Sequence, residues 1–398
     1  MLNLLLDLTF TLNEPKPGNW KFGLAAMLFG LVFALALIET IPRLVPGLMP
    51  AKLRSVLRLY DARSSWENMM RGDKELGFVV RPNLELKFPS EGRTIDVNTV
   101  ALTDDDIGFR DIGVRAPVDG IVVGDSFTFC DDTTVEACWV RQLGDKTGMK
   151  FASLGVNGYS NLAAARMLKN VGLKLKPKVI LATFFANDFK DNLHFHNWTE
   201  SGTDDYWQWM RRKRRSDTSE FFAEKSILYR LFDSARRYGA RTIFEYKEND
   251  LDFVFRSDGW WRTVLGQPGA TPGYKLTEEA IQEFRLLTAR DGMQFVMVLI
   301  PFKEQVYWDI ARQFDPDGER LETTDIDAPM NAVRTYLEKR GIAYCDLTGP
   351  MREAAAKGPQ LYLRISAHWT DYGNGMAADM VADCLRDMGL ADAAPDQQ

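Results

Sequence analysis

The sequence predicts an α/β fold, three layers with a parallel sheet between two layers of helices, preceded by one membrane-spanning helix. Two observations predict it. From Gly120 onward, short apolar runs rich in β-branched residues alternate with segments of helical periodicity, the signature of crossover units on a parallel sheet. Near the N-terminus, Phe22 to Ile38 runs for 17 residues without a charge and stays apolar to Ile41. At about 1.5 Å per residue, some 20 residues reach across roughly 30 Å of hydrocarbon.

Taken in order, residues 1–21 begin apolar, Met1 to Phe10, and continue into the turn-rich Asn13 to Asn19. They are expected to form an interfacial segment and a linker. Residues 22–41 are the expected span, ended by Pro42. The plain alternative is a buried core helix, but nothing nearby would surround so uniform a stretch. No small-residue cleavage site follows, so an uncleaved anchor is expected rather than a signal peptide. Ala26, Gly30 and Ala34 recur every fourth residue, a small-residue face on which a membrane-protein partner or a second copy could dock. Residues 42–75 read as an amphipathic stalk, 76–390 as the main domain, and 391–398 as a tail.

Within the main domain, strands are expected at 120–124, 151–156, 179–185, 294–300 and 342–346. Helices fall near 133–147, 160–173, 277–291, 327–340 and 372–388. Right-handed crossovers would bring the loops at the strands' C-terminal ends to one rim. An insertion, 189–275, interrupts the alternation. It holds Trp198, Trp207, Trp209, Trp260 and Trp261 and the basic run Arg211 to Arg215. It is too long for a plain connection and too aromatic for disorder. Two readings stand: a lid bordering the cleft, or a structural cover for one face of the sheet. The basic run is read as a solvated face or as a contact with anionic headgroups.

Hydrophobic content of 45% and charged content of 26% are globular values. A net charge of −6 argues against nucleic acid as a partner. The cysteines are Cys130, Cys138, Cys345 and Cys384, with no pair at metal-ligand spacing. Cys130 and Cys138 are either bridged in an oxidising compartment or two separate buried thiols. His194 and His196 lack an evident third ligand, so no metal and no cofactor are expected.

The chemistry centres on Gly120-Ile-Val-Val-Gly-Asp-Ser-Phe-Thr-Phe129. A serine on a strand-to-helix turn has its hydroxyl lifted clear of the sheet, the placement a nucleophile needs. A lone Gly-Asp-Ser is also an ordinary polar turn, so partners decide. They follow in order: Gly158 after the second strand, Asn187-Asp188 after the third, and His368-Trp369 ahead of the last helix. Asp125 and Asp188 read more simply as turn-capping acids than as reacting groups.

These four blocks resemble the GDSL/SGNH hydrolase superfamily, in particular its membrane-anchored bacterial members. Gly124 to Phe129 matches the first block, Gly158 the second, Asn187-Asp188 the third and His368-Trp369 the last. Gly108-Phe-Arg-Asp111, Arg81-Pro-Asn83 and Pro301-Phe-Lys-Glu-Gln-Val-Tyr307 are softer echoes. The resemblance implies a flavodoxin-like parallel sheet, Ser126 as nucleophile, and His368 as base. It further implies an oxyanion hole from the N–H of Ser126, the N–H of Gly158 and the side-chain amide of Asn187. It also places the domain outside the cytoplasm, on a single-pass protein of a bacterial inner membrane with the main domain in the periplasm. Charge bias opposes that side: Lys16 and Lys21 precede the span, whereas Arg43, Lys52, Arg54 and Arg58 follow it.

One departure stands out. The family places an Asp two or three residues before the histidine, and here those positions hold Ser366 and Ile365. Three outcomes are open: a slow Ser126–His368 dyad, a carboxylate borrowed from elsewhere, or an inactive site. The expected function is a serine esterase or O-acyltransferase acting on a carbohydrate or lipid ester. Relatives with an anchor helix and a His-Trp ending sharpen this toward polysaccharide O-acetylation. The rival reading is a scaffold or binding subunit of a membrane complex.

Overall fold

A computed structural model of the chain describes residues 20–45, 66–214, 222, 225–239, 243–256, 272–314 and 325–392. The chain divides into two compact units, Met1–Leu59 with Thr218–Arg237, and Tyr60–Asp217 with Tyr238–Gln398.

In the first unit the apolar stretch is one helix, Trp20–Leu44. Residues Lys21–Leu44 have a mean hydropathy of 2.3 over their most apolar window, with none of that window buried, so the helix is long and apolar enough to cross a membrane. Pro42 does not end it as the sequence suggested. The proline stands in the final turn, where it forfeits its own bond to residue 38 but has only two helical residues beyond it, and the helix runs on to Leu44. Ala26, Gly30 and Ala34 lie exposed along it. The expected interfacial segment falls outside the described residues except for its last two, Trp20 and Lys21, which are helical. The stalk lies mostly outside them too, and its far end departs from the expectation: Met70–Asp73 is a strand.

The second unit opens with strands β1 (Met70–Asp73), β2 (Gly77–Val80), β3 (Glu85–Ser90), β4 (Arg93–Ala101) and β5 (Gly108–Arg110). They form an antiparallel sheet of order β1-β2-β5-β4-β3. Alternating burial along β3 and β4 shows one wet face and one packed face.

The main sheet is parallel and built from β6 (Gly120–Gly124), β7 (Phe151–Gly155), β8 (Val179–Phe185), β11 (Gln294–Ile300) and β12 (Ala343–Asp346). β9 (Ile243–Glu248) and β10 (Leu251–Arg256) form a separate hairpin between them. The order is β12-β11-β8-β6-β7, every pair parallel. β6, β7 and β8 are buried along their whole length, as expected of strands covered on both faces. Helices Asn161–Asn170, Asp188–Glu200, Pro272–Arg290 and Ala328–Arg340 pack together as one layer. Trp139–Thr147, Thr348–Lys357 and Asp371–Asp387 form the other. The chain turns back on itself at β6, whose two neighbours are reached by crossovers in opposite directions. In open α/β sheets that switch point is where ligands bind.

The insertion is only partly a cover. Its helix Asp188–Glu200 joins a helical layer, and β10 docks on the segment before His368, with the Val254 N–H donating to Arg364 O at 2.8 Å. Trp198 is buried; Trp260 and Trp261 lie outside the described residues. Both cysteine pairs are bridged, Cys130–Cys138 and Cys345–Cys384.

Candidate active site

Ser126 opens the short helix Ser126–Phe129 directly after β6. Asp125 caps this helix, its Oδ1 accepting from the Phe127 N–H at 3.0 Å. The turn presses onto the sheet because two glycines let it. A Cβ on Gly124 would meet Thr183 Oγ1 at 1.9 Å, and one on Gly155 would meet the Phe129 nitrogen at 2.3 Å. Ser153 Oγ donates to Thr128 O at 2.6 Å, pinning the helix to β7.

His368 reaches Ser126 from the far end of the chain. Its Nε2 lies 2.8 Å from Ser126 Oγ. The ring keeps 19% side-chain exposure, enough to meet a reactant. Phe127 packs edge-on against it, the centroids 5.1 Å apart.

The carboxylate absent from positions 365 and 366 comes from Asp132, six residues after the serine. Asp132 Oδ2 lies 2.8 Å from His368 Nδ1. Ser366 Oγ donates to the same oxygen at 2.8 Å and sits 3.0 Å from Nδ1. A carboxylate from elsewhere in the chain therefore stands at the far nitrogen of the ring. Burial alone would raise the Asp132 pKa. The hydrogen bond and charge of His368 outweigh that and hold it down to about 2. Burial likewise pulls the imidazole down, but the Asp132 hydrogen bond and the charges on Asp131, Asp132 and Asp125 lift it above its ordinary value. Asp371, the acid that follows His368, turns elsewhere: it takes Arg93 in a bidentate pair and accepts from Thr133 Oγ1 at 2.6 Å.

Two loops meet at this pair, and ionic side chains hold each by its backbone. The loop carrying Asp132 places Cys130 and Asp132 at positive φ, 61° and 63°, a conformation side-chain-bearing residues adopt at a cost. Arg110, from the Gly108-Phe-Arg-Asp111 block, is buried beneath it. Its guanidinium donates to the carbonyls of Cys130 and Thr133, the latter at 2.5 Å. Arg93 adds a bond to Asp132 O at 2.8 Å, and the Cys130–Cys138 bridge closes the loop. The loop carrying His368 is gripped from both sides. Glu91, at the β3–β4 turn, accepts from the N–H groups of Arg364, Ile365 and Ser366 at 2.6–2.8 Å. Buried Lys303, from the Pro301-to-Tyr307 block, donates to the carbonyls of Leu363, Arg364 and Ser366 at 3.1–3.3 Å. Its ammonium lies 5.8 Å from the ring centroids of Phe253 and Phe255.

The remaining expected residues border the same rim. Gly158 follows β7 at φ +81°, which suits glycine. An added Cβ there would meet only Phe78 at 3.7 Å. The backbone conformation, rather than lack of space, is therefore its requirement. Asn187 follows β8 at the start of the helix Asp188–Glu200, and its Oδ1 is buried without a partner. Among the described residues, the N–H groups of Ser126 and Gly158 donate to no protein acceptor. Asp188 caps backbone, accepting from the Phe185 N–H at 2.9 Å. Three further carboxyls crowd the site. Burial pushes Asp131 up to about 7 and Asp125 up to about 6, and raises Asp188 well above its ordinary value.

A protein-family model described as the SGNH hydrolase-like domain of the acetyltransferase AlgX matches residues 255–398, the part of the chain that carries Lys303 and His368. Over these residues the chain is similar to an SGNH hydrolase-like domain. Ser126 lies outside the matched residues and meets them through its contact with His368. The chain is 30% identical over 153 residues to a protein of Azotobacter vinelandii described as "Probable alginate O-acetylase AlgJ", covering 35% of this chain and 38% of that one. A protein of Pseudomonas putida with the same description is 28% identical over 104 residues, 26% of this chain and 25% of that one. The chain thus spans well under half the length of these relatives. Among solved structures, a catalytic mutant of the acetylxylan esterase Axe2 from Geobacillus stearothermophilus is 12% identical, covers 70% of this chain and 97% of that chain, and has a TM-score of 0.37.

Asp132, Arg110 and Lys303 are the residues the sequence did not single out for the site. Arg110 and Lys303 stand inside the softer echoes of the family, without a role assigned there. Asp132 had one signal: a second acid, beside Asp131, on the loop that leaves the serine turn.

Proposed function

We propose that the chain is a membrane-anchored O-acetyltransferase of carbohydrate, working through an acyl-serine on the periplasmic side of a bacterial inner membrane. The single observation that carries the chemistry is the line of contacts from Ser126 Oγ through His368 to Asp132. His368 Nε2 takes the hydroxyl proton as Ser126 Oγ attacks the acyl carbonyl. The N–H groups of Ser126 and Gly158 and the Asn187 amide receive the oxyanion. The imidazolium then protonates the leaving oxygen, and an acetyl-serine remains. An acceptor hydroxyl gives its proton to His368 and attacks that ester; as the bond to Ser126 Oγ breaks, the imidazolium returns the proton to Oγ and the acceptor departs acetylated. Asp132 keeps the ring in the tautomer with hydrogen on Nδ1 and stabilises the imidazolium. No metal or cofactor enters these steps.

The substrate class comes from the relatives described as alginate O-acetylases and from the acetyltransferase family match. Anchoring is supported by the apolar helix Trp20–Leu44. The two disulfides favour an oxidising compartment over the cytoplasm. The motive for reading the chain as an inactive scaffold was a missing acid, and Asp132 supplies one.

The test is labelling by a serine-directed fluorophosphonate, comparing native protein with Ser126→Ala. The native protein should label and the variant should not. It should then move acetyl from an activated acetyl ester onto an oligosaccharide, read by mass spectrometry. Native protein that stays unlabelled across the pH range would remove the nucleophile from this account. Labelling without transfer would leave an esterase.

A further inference from the structure

The helix Ile227–Gly239 is built inside out. At about 100° per residue, Leu228, Leu231, Phe232 and Ala235 share one arc, and Tyr229, Arg230, Asp233 and Arg236 the opposite one. A helix on a water-soluble surface buries the apolar arc. Here Asp233 is 6% exposed and its neighbour Phe232 is 68% exposed. Ala235 is also exposed, and Leu228 and Leu231 are half-buried. Ile227, at the start, is the buried member of the apolar side.

The start of this helix is fastened to the apolar helix Trp20–Leu44. Glu39 accepts from the Ile227 N–H at 2.9 Å, the Leu228 N–H at 3.0 Å and the Ser226 hydroxyl at 3.1 Å. Arg43 bonds both the Glu39 carboxylate and the Lys225 carbonyl. The carboxylate thus caps a helix N-terminus, where free N–H groups and the dipole favour negative charge. Its height is telling. Glu39 stands 18 residues after Lys21, roughly 27 Å along the helix, the far edge of a hydrocarbon core entered at Lys21. The second helix therefore begins where bilayer gives way to headgroups. Its arginines, Arg230 and Arg236 against one acid, Asp233, suit an anionic surface.

We propose that Ile227–Gly239 is an interfacial helix, seating its Leu228, Leu231, Phe232 and Ala235 arc in the bilayer at the C-terminal end of the span. The occupant of the exposed arc is lipid, because the helix is fastened to the end of a span whose apolar window is wholly exposed, and its arginines suit anionic headgroups. The inference rests on Trp20–Leu44 crossing the membrane, and the test separates the two.

All four cysteines of the chain are bridged, so an added thiol is the one labelling position. Full-length Phe232→Cys, Ala235→Cys, Arg236→Cys and Phe29→Cys would each carry an environment-sensitive fluorophore in vesicles of phosphatidylethanolamine and phosphatidylglycerol. Labels at 232 and 235 should emit blue-shifted light and be quenched several-fold more by a lipid-attached nitroxide than the label at 236. The label at 236 should instead yield to aqueous iodide. Labels at 232 and 235 that iodide quenches as strongly as that at 236 would overturn the proposal. So would labels there shielded from both quenchers, which would mean a protein covers the arc. A label at 29 in lipid alongside either result leaves the span standing. A label at 29 in water overturns the span, and this inference with it.

Discussion

At the scale of single residues, the acid in the site has an unusual address. Asp132 rides the same loop as the serine, and Ser366, at the customary place two before the histidine, donates a bond to it instead. Asp132→Asn should lower kcat by up to about 10⁴-fold with little change in KM, because the ring would lose its tautomer and its counter-charge rather than its substrate. Ser366→Ala should cost far less; steady-state kinetics on an acetyl ester checks both. His368 must be neutral to accept a proton, and its pKa is held above the ordinary 6.5. The acid limb of kcat/KM should therefore fall above pH 6.5. In Asp132→Asn it should move to lower pH, since the group that favours the imidazolium is gone. Stability carries its own sign. Asp131 has its folded pKa raised from 3.8 to about 7, so the stability it contributes is complete below pH 3.8 and is lost as the pH rises through about 7. Asp131→Asn should flatten the decline of Tm over that window, as thermal melts from pH 4 to 8 would read. Asp132 works the other way: its contribution is present above pH 3.8 and fades as the pH falls toward about 2.

At the scale of elements, the site is two loops held by charges on their backbones. A buried ammonium on carbonyls and a buried guanidinium on carbonyls cost desolvation that only full hydrogen bonding offsets. Lys303→Met should leave the carbonyls of 363–366 without their donor and let the His368 loop drift. Displacements near 1 Å at a reacting group lower rates by about 10²-fold, so a kcat loss approaching that size with a retained fold is expected. Circular dichroism paired with kinetics reads it, and an unchanged kcat would mean that Glu91 holds the loop alone. The two disulfides should separate cleanly. The Cys130→Ser, Cys138→Ser pair opens an 8-residue separation, worth about 2–3 kcal/mol of stability by loop entropy, and should also depress kcat because it slackens the Asp132 loop. The Cys345→Ser, Cys384→Ser pair opens a 39-residue separation, worth about 4 kcal/mol, and should spare kcat, since it ties β12 to the last helix away from the serine.

At the scale of the whole molecule, the parts visible in the sequence were those with a local signature. β6, β8 and β11 are largely apolar runs, and their observed bounds, Gly120–Gly124, Val179–Phe185 and Gln294–Ile300, are those the pattern predicts. Ser126 and His368 were legible as candidates because one sits on a strand-to-helix turn and the other at a loop-to-helix junction, each inside a recognisable block. The rest was hidden for physical reasons. Helix Thr348–Lys357 holds Gly349 and Pro350 near its start, residues that read as a turn until packing selects the helix. The antiparallel sheet before Gly120 is short-stranded, and its register depends on neighbours far along the chain. Asp132, Arg110 and Lys303 act through contacts with loops, across sequence distances that no local pattern records. One further consequence follows from the serine and its acid sharing a single seven-residue stretch. A polypeptide is made from its N-terminus, so the pair emerges together, while the imidazole follows 236 residues after Asp132. Until then the hydroxyl has no base beside it. On the chemistry proposed for the site, the serine gains its base only after residue 368 has been made and has docked beside it.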